Sequence, residues 1–180
     1  MAIHNPKQSF SQLKTHPMTI RLRPHQKIRI QSSSDIFQLL QPILRRCSKR
    51  DRLREHFWIL CLEPGQTVCH LELLALGTQN KVMIDPREVY SLALQQNASS
   101  IVAIHNHPGG RLKPSPADKS ITQQLMRGSE FVNLRLLDHL IISEEGYFSF
   151  MDEGLLGLPN DGSSEKANRT LRARLELSNA

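Results

Sequence analysis

Apolar positions along this chain recur with two periods, and the switches between them mark out its elements. Ile36, Leu39, Leu40, Ile43 and Leu44 are spaced as one face of a helix, which predicts a helix over 36–47. An unbroken apolar run over 57–62 then reads as a buried strand. Pro64-Gly65 supplies a turn, and a second strand is predicted over 67–76, so the two form a hairpin. Pro86 is suited to a first helical position and starts a helix running to about residue 97. A buried strand begins at Ile101, a further helix begins at Pro116, and strands return over 136–143 and 147–150. Helices that alternate with strands in this way predict a layered α/β domain.

The ends of the chain differ from this core. Thr19-Ile20-Arg21-Leu22-Arg23 and Lys27-Ile28-Arg29-Ile30 alternate apolar with basic residues, the pattern of short edge strands or of a basic arm that contacts an acidic partner. Ser32-Ser33-Ser34 follows as a boundary. Beyond residue 157 the composition turns to Pro, Asn, Asp, Gly and Ser, and then to a basic stretch over 166–174. The expected organisation is a basic N-terminal arm over 1–35, a catalytic domain over 36–157 and a basic tail over 158–180. With 180 residues, of which 39% are hydrophobic, the chain can bury one sizeable core, and one domain is the economical reading.

The formal charge of +6 favours anionic partners without specifying one. The first 34 residues contain no acid, so the two ends are expected either to bind nucleic acid weakly and without sequence preference or to be a plain solvated basic surface. Cys47, Cys61 and Cys69 form no Cys-x-x-Cys pair and read as reduced, structural thiols. That usage, with no long apolar segment, leads us to expect a cytoplasmic protein with no membrane partner.

Candidate chemistry concentrates in the stretch over 105–118, His-Asn-His-Pro-Gly-Gly-Arg-Leu-Lys-Pro-Ser-Pro-Ala-Asp. His105 and His107 are two apart at the end of a strand, so both side chains leave one face and can converge on one cation. Ser115 is a good helix N-cap, Pro116 suits the first helical position, and Asp118 falls in the first turn, from which it can face the histidines. Three N and O donors leave a fourth position for water, as in catalytic zinc sites. Each part also has a plainer explanation: strand-end histidines satisfied by hydrogen bonds, and an ordinary helix cap. It is the combination that points to metal. Such a site still needs a base to take the proton of the attacking water, and that group must come from elsewhere in the chain.

The pattern His-x-His, seven residues, Ser-x-x-Asp, with Glu upstream, resembles the JAMM signature of the JAB/MPN metallopeptidases. Glu55-His56-Phe57-Trp58-Ile59-Leu60, Leu76-Gly77-Thr78, Asp85-Pro86-Arg87-Glu88-Val89, His105-Asn106-His107-Pro108 and Asp138-His139-Leu140-Ile141 run in the order seen in the RadC family, a resemblance covering about residues 36 to 152. It implies the JAB/MPN fold, related in architecture to the cytidine deaminases, with the metal at the edge of a mixed sheet flanked by helices. It also implies that His105, His107 and Asp118 bind Zn2+, that Glu55 is the general acid/base, and that Ser115 steadies the substrate or the tetrahedral intermediate. Glu63 and Glu72 lie close by in sequence as rival bases. His139 reads as a hydrogen-bonded core histidine, with a role in orienting a metal ligand as the alternative. The chain departs from the family in having Gly109-Gly110 where Ser commonly follows His-Asn-His-Pro, which predicts a looser loop. No equivalent of the family's N-terminal helix-hairpin-helix region is expected before residue 36.

The function implied is zinc-dependent hydrolysis of a peptide or isopeptide bond in a protein substrate. The family's traditional label, DNA repair, is a name rather than a mechanism. The rivals are a nucleic-acid-associated binding module and a metal-dependent nuclease. The adjacent His105-Asn106-His107 does not suit an HNH nuclease, whose named residues are dispersed. A zinc deaminase would need His-x-Glu and a later Pro-Cys-x-x-Cys; His70-Leu71-Glu72 spells the first, but the second does not occur.

Overall fold

Ser32 opens the first long helix through a reciprocal cap: its hydroxyl accepts from the Asp35 amide at 3.3 Å, and the Asp35 carboxylate accepts from the Ser32 amide at 2.9 Å. The computed structural model describes residues 18–78 and 82–157. Within them the elements are β1 (Met18–Thr19), α1 (Ser33–Arg46), α2 (Lys49–Arg52), β2 (His56–Leu62), β3 (Val68–Leu76), α3 (Pro86–Gln95), β4 (Ser100–Asn106), α4 (Pro116–Phe131), β5 (Arg135–Ile142) and β6 (Tyr147–Ser149). The strands form one six-stranded sheet in the order β1-β3-β2-β4-β5-β6. β4 and β5 are parallel, joined by the α4 crossover, and the other pairs are antiparallel. This is the mixed, layered α/β architecture expected from the sequence.

The continuous apolar runs have a simple cause: both faces of the central strands are covered, so alternation has no polar side to show. Trp58, Leu60, Leu62, Val102 and Ile104 pack on one face against Ile36, Leu39, Leu40 and Leu44 of α1. Phe57, Ile59, Cys61, Ile101 and Ala103 pack on the other with Val89 and Ala93 of α3 and Leu125 of α4. Each large side chain so buried stabilises the fold by about 1.5–3 kcal/mol. Cys61 is fully buried, and burial pushes its thiol up to about 12, as suits a structural thiol. All three cysteines are free.

Boundaries moved slightly from expectation. α1 starts at Ser33 rather than Ile36 because the cap lies at Ser32. α3 stops at Gln95, since Asn97 takes a left-handed conformation (φ 51°). The short α2, capped by Ser48, has no apolar face and left no periodic signal. The alternating segment after Met18 lies along the sheet edge: β1 pairs with β3, and Arg29 bridges to Thr67. Arg21, Arg23, Lys27 and Arg29 are exposed, while Ile30 enters the core. The basic tail over 166–174 lies outside the described residues. No helix among the described residues is long and apolar enough to cross a membrane.

Candidate metal centre

Register alone assembles most of the site. The antiparallel pairing of β2 with β4 sets Phe57 opposite His105, and both residues extend the sheet face covered by α3 and α4. One step beyond the strand ends, with the same period of two, Glu55 falls opposite His107. Backbone hydrogen bonds from Glu55 N to Thr78 O (2.8 Å) and from Gly77 N to Glu55 O (2.7 Å) hold the Glu55 backbone in place. Asn106, whose side chain leaves β4 on the other side, clamps the same segment. Its amide donates to Arg54 O at 3.1 Å and its carbonyl accepts from His56 N at 2.7 Å, so it grips the chain on both sides of Glu55. Sequence reasoning gave Asn106 no role.

Asp118 arrives from α4. Pro116 occupies the first turn and Asp118 the third helical position, and the Ser115 hydroxyl accepts from Asp118 N at 3.2 Å while Asp118 Oδ2 accepts from Ser115 N at 2.7 Å. This cap turns the carboxylate toward β4: Oδ1 lies 3.2 Å from His105 Nε2, and Oδ2 lies 3.5 Å from His107 Nε2. The two Nε2 atoms are 3.1 Å apart. The loop between β4 and α4 closes through Gly110, which takes φ 72° and donates to His107 O at 2.9 Å. At Gly109 a Cβ would meet nothing within 4 Å, so the Ser seen there in the family would fit here as well.

The donor chemistry fits a metal ion. His107 Nδ1 lies 2.7 Å from Arg111 O, a carbonyl that can only accept, so Nδ1 carries the proton and Nε2 presents a lone pair. His105 Nδ1 is engaged by His139 at 2.9 Å. Two imidazole Nε2 atoms and a carboxylate thus face one another and call for an added positive charge. Donors bound tetrahedrally at zinc distances stand roughly 3.3–3.4 Å apart, close to the separations found here. His105, His107 and Asp118 are the cluster among the described residues that could hold such an ion.

Electrostatics agree. Burial opposes ionisation of Asp118, but the two histidine rings beside it and the hydrogen bond from Ser115 N outweigh it and hold the carboxyl well below the ordinary carboxylate range. The Asp118 carboxylate beside it raises His107, whereas complete burial lowers His105. Burial pushes the Glu55 carboxyl up; the His107 charge opposes this and the Asp118 charge adds to it. Glu55, His105, Ser115 and Asp118 line one cavity of about 380 Å³, together with the apolar Val82, Met83, Ile84 and Ile121. Glu72 is engaged elsewhere, with His70 at 2.7 Å and Thr19 at 2.9 Å, and neither it nor Glu63 lines the cavity.

A mixed sheet carrying two strand-end histidines beside a helix-capping aspartate defines a JAB-type domain, and the comparison with known families makes it specific. The chain belongs to the RadC-like JAB domain family, which matches residues 30–155. Relatives named UPF0758 protein include one from Flavobacterium johnsoniae, 39% identical over 127 residues (71% of this chain, 53% of the relative). Another, from Chlorobium chlorochromatii, is 36% identical over 128 residues (71% and 55%). A third, from Methanosarcina barkeri, is 33% identical over 130 residues (72% and 55%). The chain therefore spans about half the length of the relatives it matches.

Proposed function

We propose that this domain is a zinc-dependent hydrolase of peptide or isopeptide bonds, with His105, His107 and Asp118 as the metal ligands. The observation that carries the reading is the convergence of three lone-pair donors, with the His107 Nδ1 proton already committed, two of them, His105 and Asp118, on the wall of a cavity that Glu55 also lines. Bound zinc would polarise the scissile carbonyl and make a water in the cavity acidic enough to be deprotonated near neutral pH. Glu55, held by Asn106 and the Gly77-Thr78 backbone, takes that water's proton and passes it to the leaving amine. A half-buried carboxyl raised by desolvation suits both halves of this transfer. The Ser115 oxygen accepts from Asp118 N, which leaves its O–H free to donate to the oxyanion as the carbonyl becomes tetrahedral. The apolar side chains that line the cavity, Val82, Met83, Ile84 and Ile121, suit a substrate carrying an apolar side chain beside the cleaved bond.

Zinc content decides the first step. Purified wild-type protein should carry close to one equivalent by elemental analysis, and the double variant His105→Ala/His107→Ala should carry none. Equal, negligible zinc in both would end the assignment.

A further inference from the structure

We propose that His139 and Thr122 form a hydrogen-bond relay that fixes the tautomer of His105 and ties it to Asp118, so that two residues outside the metal's contact set the affinity of the site. The inference rests on the metal reading above. The chain of contacts runs from Asp118 O to Thr122 Oγ1 (2.6 Å), from Thr122 Oγ1 to His139 Nδ1 (2.6 Å), and from His139 Nε2 to His105 Nδ1 (2.9 Å).

Each proton in this chain has one place to go. Asp118 O is a carbonyl and can only accept, so the single hydroxyl proton of Thr122 is committed to it. Thr122 Oγ1 must then accept from His139, which puts the proton of His139 on Nδ1. His139 is fully buried, and no carboxylate touches its ring, so the ring is neutral and its Nε2 bears a lone pair. That lone pair accepts from His105 Nδ1–H, and His105 Nε2 is left bare toward the cluster. A hydroxyl on α4 thus dictates which nitrogen of a strand histidine is offered to a cation.

The fold holds the relay in register. Thr122 follows Asp118 by one helical turn, so both side chains leave the same face of α4. His139 sits on β5 beside Ala103 of β4 in the parallel pair, next to His105 two residues on. Its ring is pinned between Phe150, stacked at 4.9 Å, and Phe57, edge-on at 5.9 Å, which prevents a ring flip that would exchange the two nitrogens. The relay begins on the backbone of one candidate ligand and ends on the ring of another, so it couples their positions. Partners of this kind typically change metal affinity by about 10–100-fold when removed.

The test compares Zn2+ affinity of the full chain, by competition with a chromophoric chelator at fixed pH, for wild type, Thr122→Val, Thr122→Ser and His139→Phe. Thr122→Val keeps the shape and deletes the hydroxyl, and we expect about 10-fold weaker binding. Thr122→Ser restores the hydroxyl and should bind within about threefold of wild type. His139→Phe fills the slot between the two rings and should lose at least as much affinity as Thr122→Val. Metal-free melting is followed in parallel, because a purely structural role would lower melting without moving the affinity of the folded protein. Wild-type affinity in both Thr122→Val and His139→Phe would overturn the relay, as would a Thr122→Ser variant as weak as Thr122→Val. Absence of zinc binding by wild type would overturn the metal reading, and the relay with it.

Discussion

Asp118 and Asp138 are both desolvated aspartates close to His139, yet their surroundings are opposites. Asp138 leaves β5 on the α1 side, where its four hydrogen bonds all come from donors: Ser33 Oγ (3.0 Å), Ser149 Oγ (2.6 Å), His139 N (2.7 Å) and Met151 N (2.9 Å). That cluster is complete, and it staples the start of α1 to the end of β6. Asp118 faces two ring nitrogens whose protons are engaged on their far sides, with Ser115 N its one fixed donor. An acceptor surrounded by donors is a structural element, whereas acceptors facing acceptors need a cation between them. The residue type does not separate a site from a staple; the count of available protons does.

The largest effect should come from the acid opposite the open cluster. Glu55→Gln is nearly isosteric and keeps both flanking clamps from Asn106, so it should bind zinc as wild type does while losing turnover by about 10²–10⁴-fold. The readout is zinc content alongside cleavage of any protein substrate that wild type cuts. Full turnover in this variant would remove Glu55 from the proton path. A loss of zinc together with turnover would place it in the open cluster as a ligand instead.

The closed cluster should respond in stability and not in metal. Asp138→Ala leaves two backbone N–H groups and two hydroxyls without their acceptor, and should cost roughly 3–5 kcal/mol at unchanged zinc stoichiometry. Asp138→Asn should recover most of this, because its oxygen can keep both N–H groups while its amide donates to the hydroxyl oxygens. It also removes a titration. Burial pushes the Asp138 carboxyl up to about 6 from an ordinary 3.8. Between those values the folded chain holds a proton that the unfolded chain has released, so this group's stabilisation is greatest below about pH 4 and is lost as pH rises through 6. The stability of wild type relative to Asp138→Asn should fall across that window and stay flat above it. A flat difference throughout, by denaturant titration at several pH values, would show that the four hydrogen bonds keep Asp138 ionised.

What could be read in advance follows the same division. The buried strands and the helix starts at Pro86 and Pro116 were legible because period and cap chemistry are local. So was the convergence of His105, His107 and Asp118, since a strand end and a capped first turn fix where those side chains point. The relay was not, because it needs α4 Thr122 to land over β5 and β5 to lie parallel to β4, and nothing local in Leu-Asp-His-Leu distinguishes His139 from any core histidine. Asn106 was missed for a related reason: its partners are backbone atoms of Arg54 and His56, which carry no side-chain signature.

The smallest effect separates two helix caps with the same Ser-x-x-Asp spelling. Ser32 and Asp35 cap α1 in an exposed box, and Ser115 and Asp118 cap α4 with matching reciprocal hydrogen bonds. Removing either hydroxyl orphans one backbone amide at a helix start, so Ser32→Ala and Ser115→Ala should each cost about 1 kcal/mol, a drop in melting temperature of about 2–4 °C. Zinc binding should survive in both, because Asp118 keeps its hydrogen bond from Ser115 N, a backbone group that the substitution leaves in place. Turnover should part them. Ser32 lies on the α1 face and touches nothing in the cavity, while Ser115 lines it and has its O–H available to a developing oxyanion, a donor worth roughly 3–4 kcal/mol in established cases. A Ser115→Ala variant that loses only stability, and cleaves as well as Ser32→Ala, would reduce Ser115 to a cap and leave oxyanion stabilisation to the metal alone.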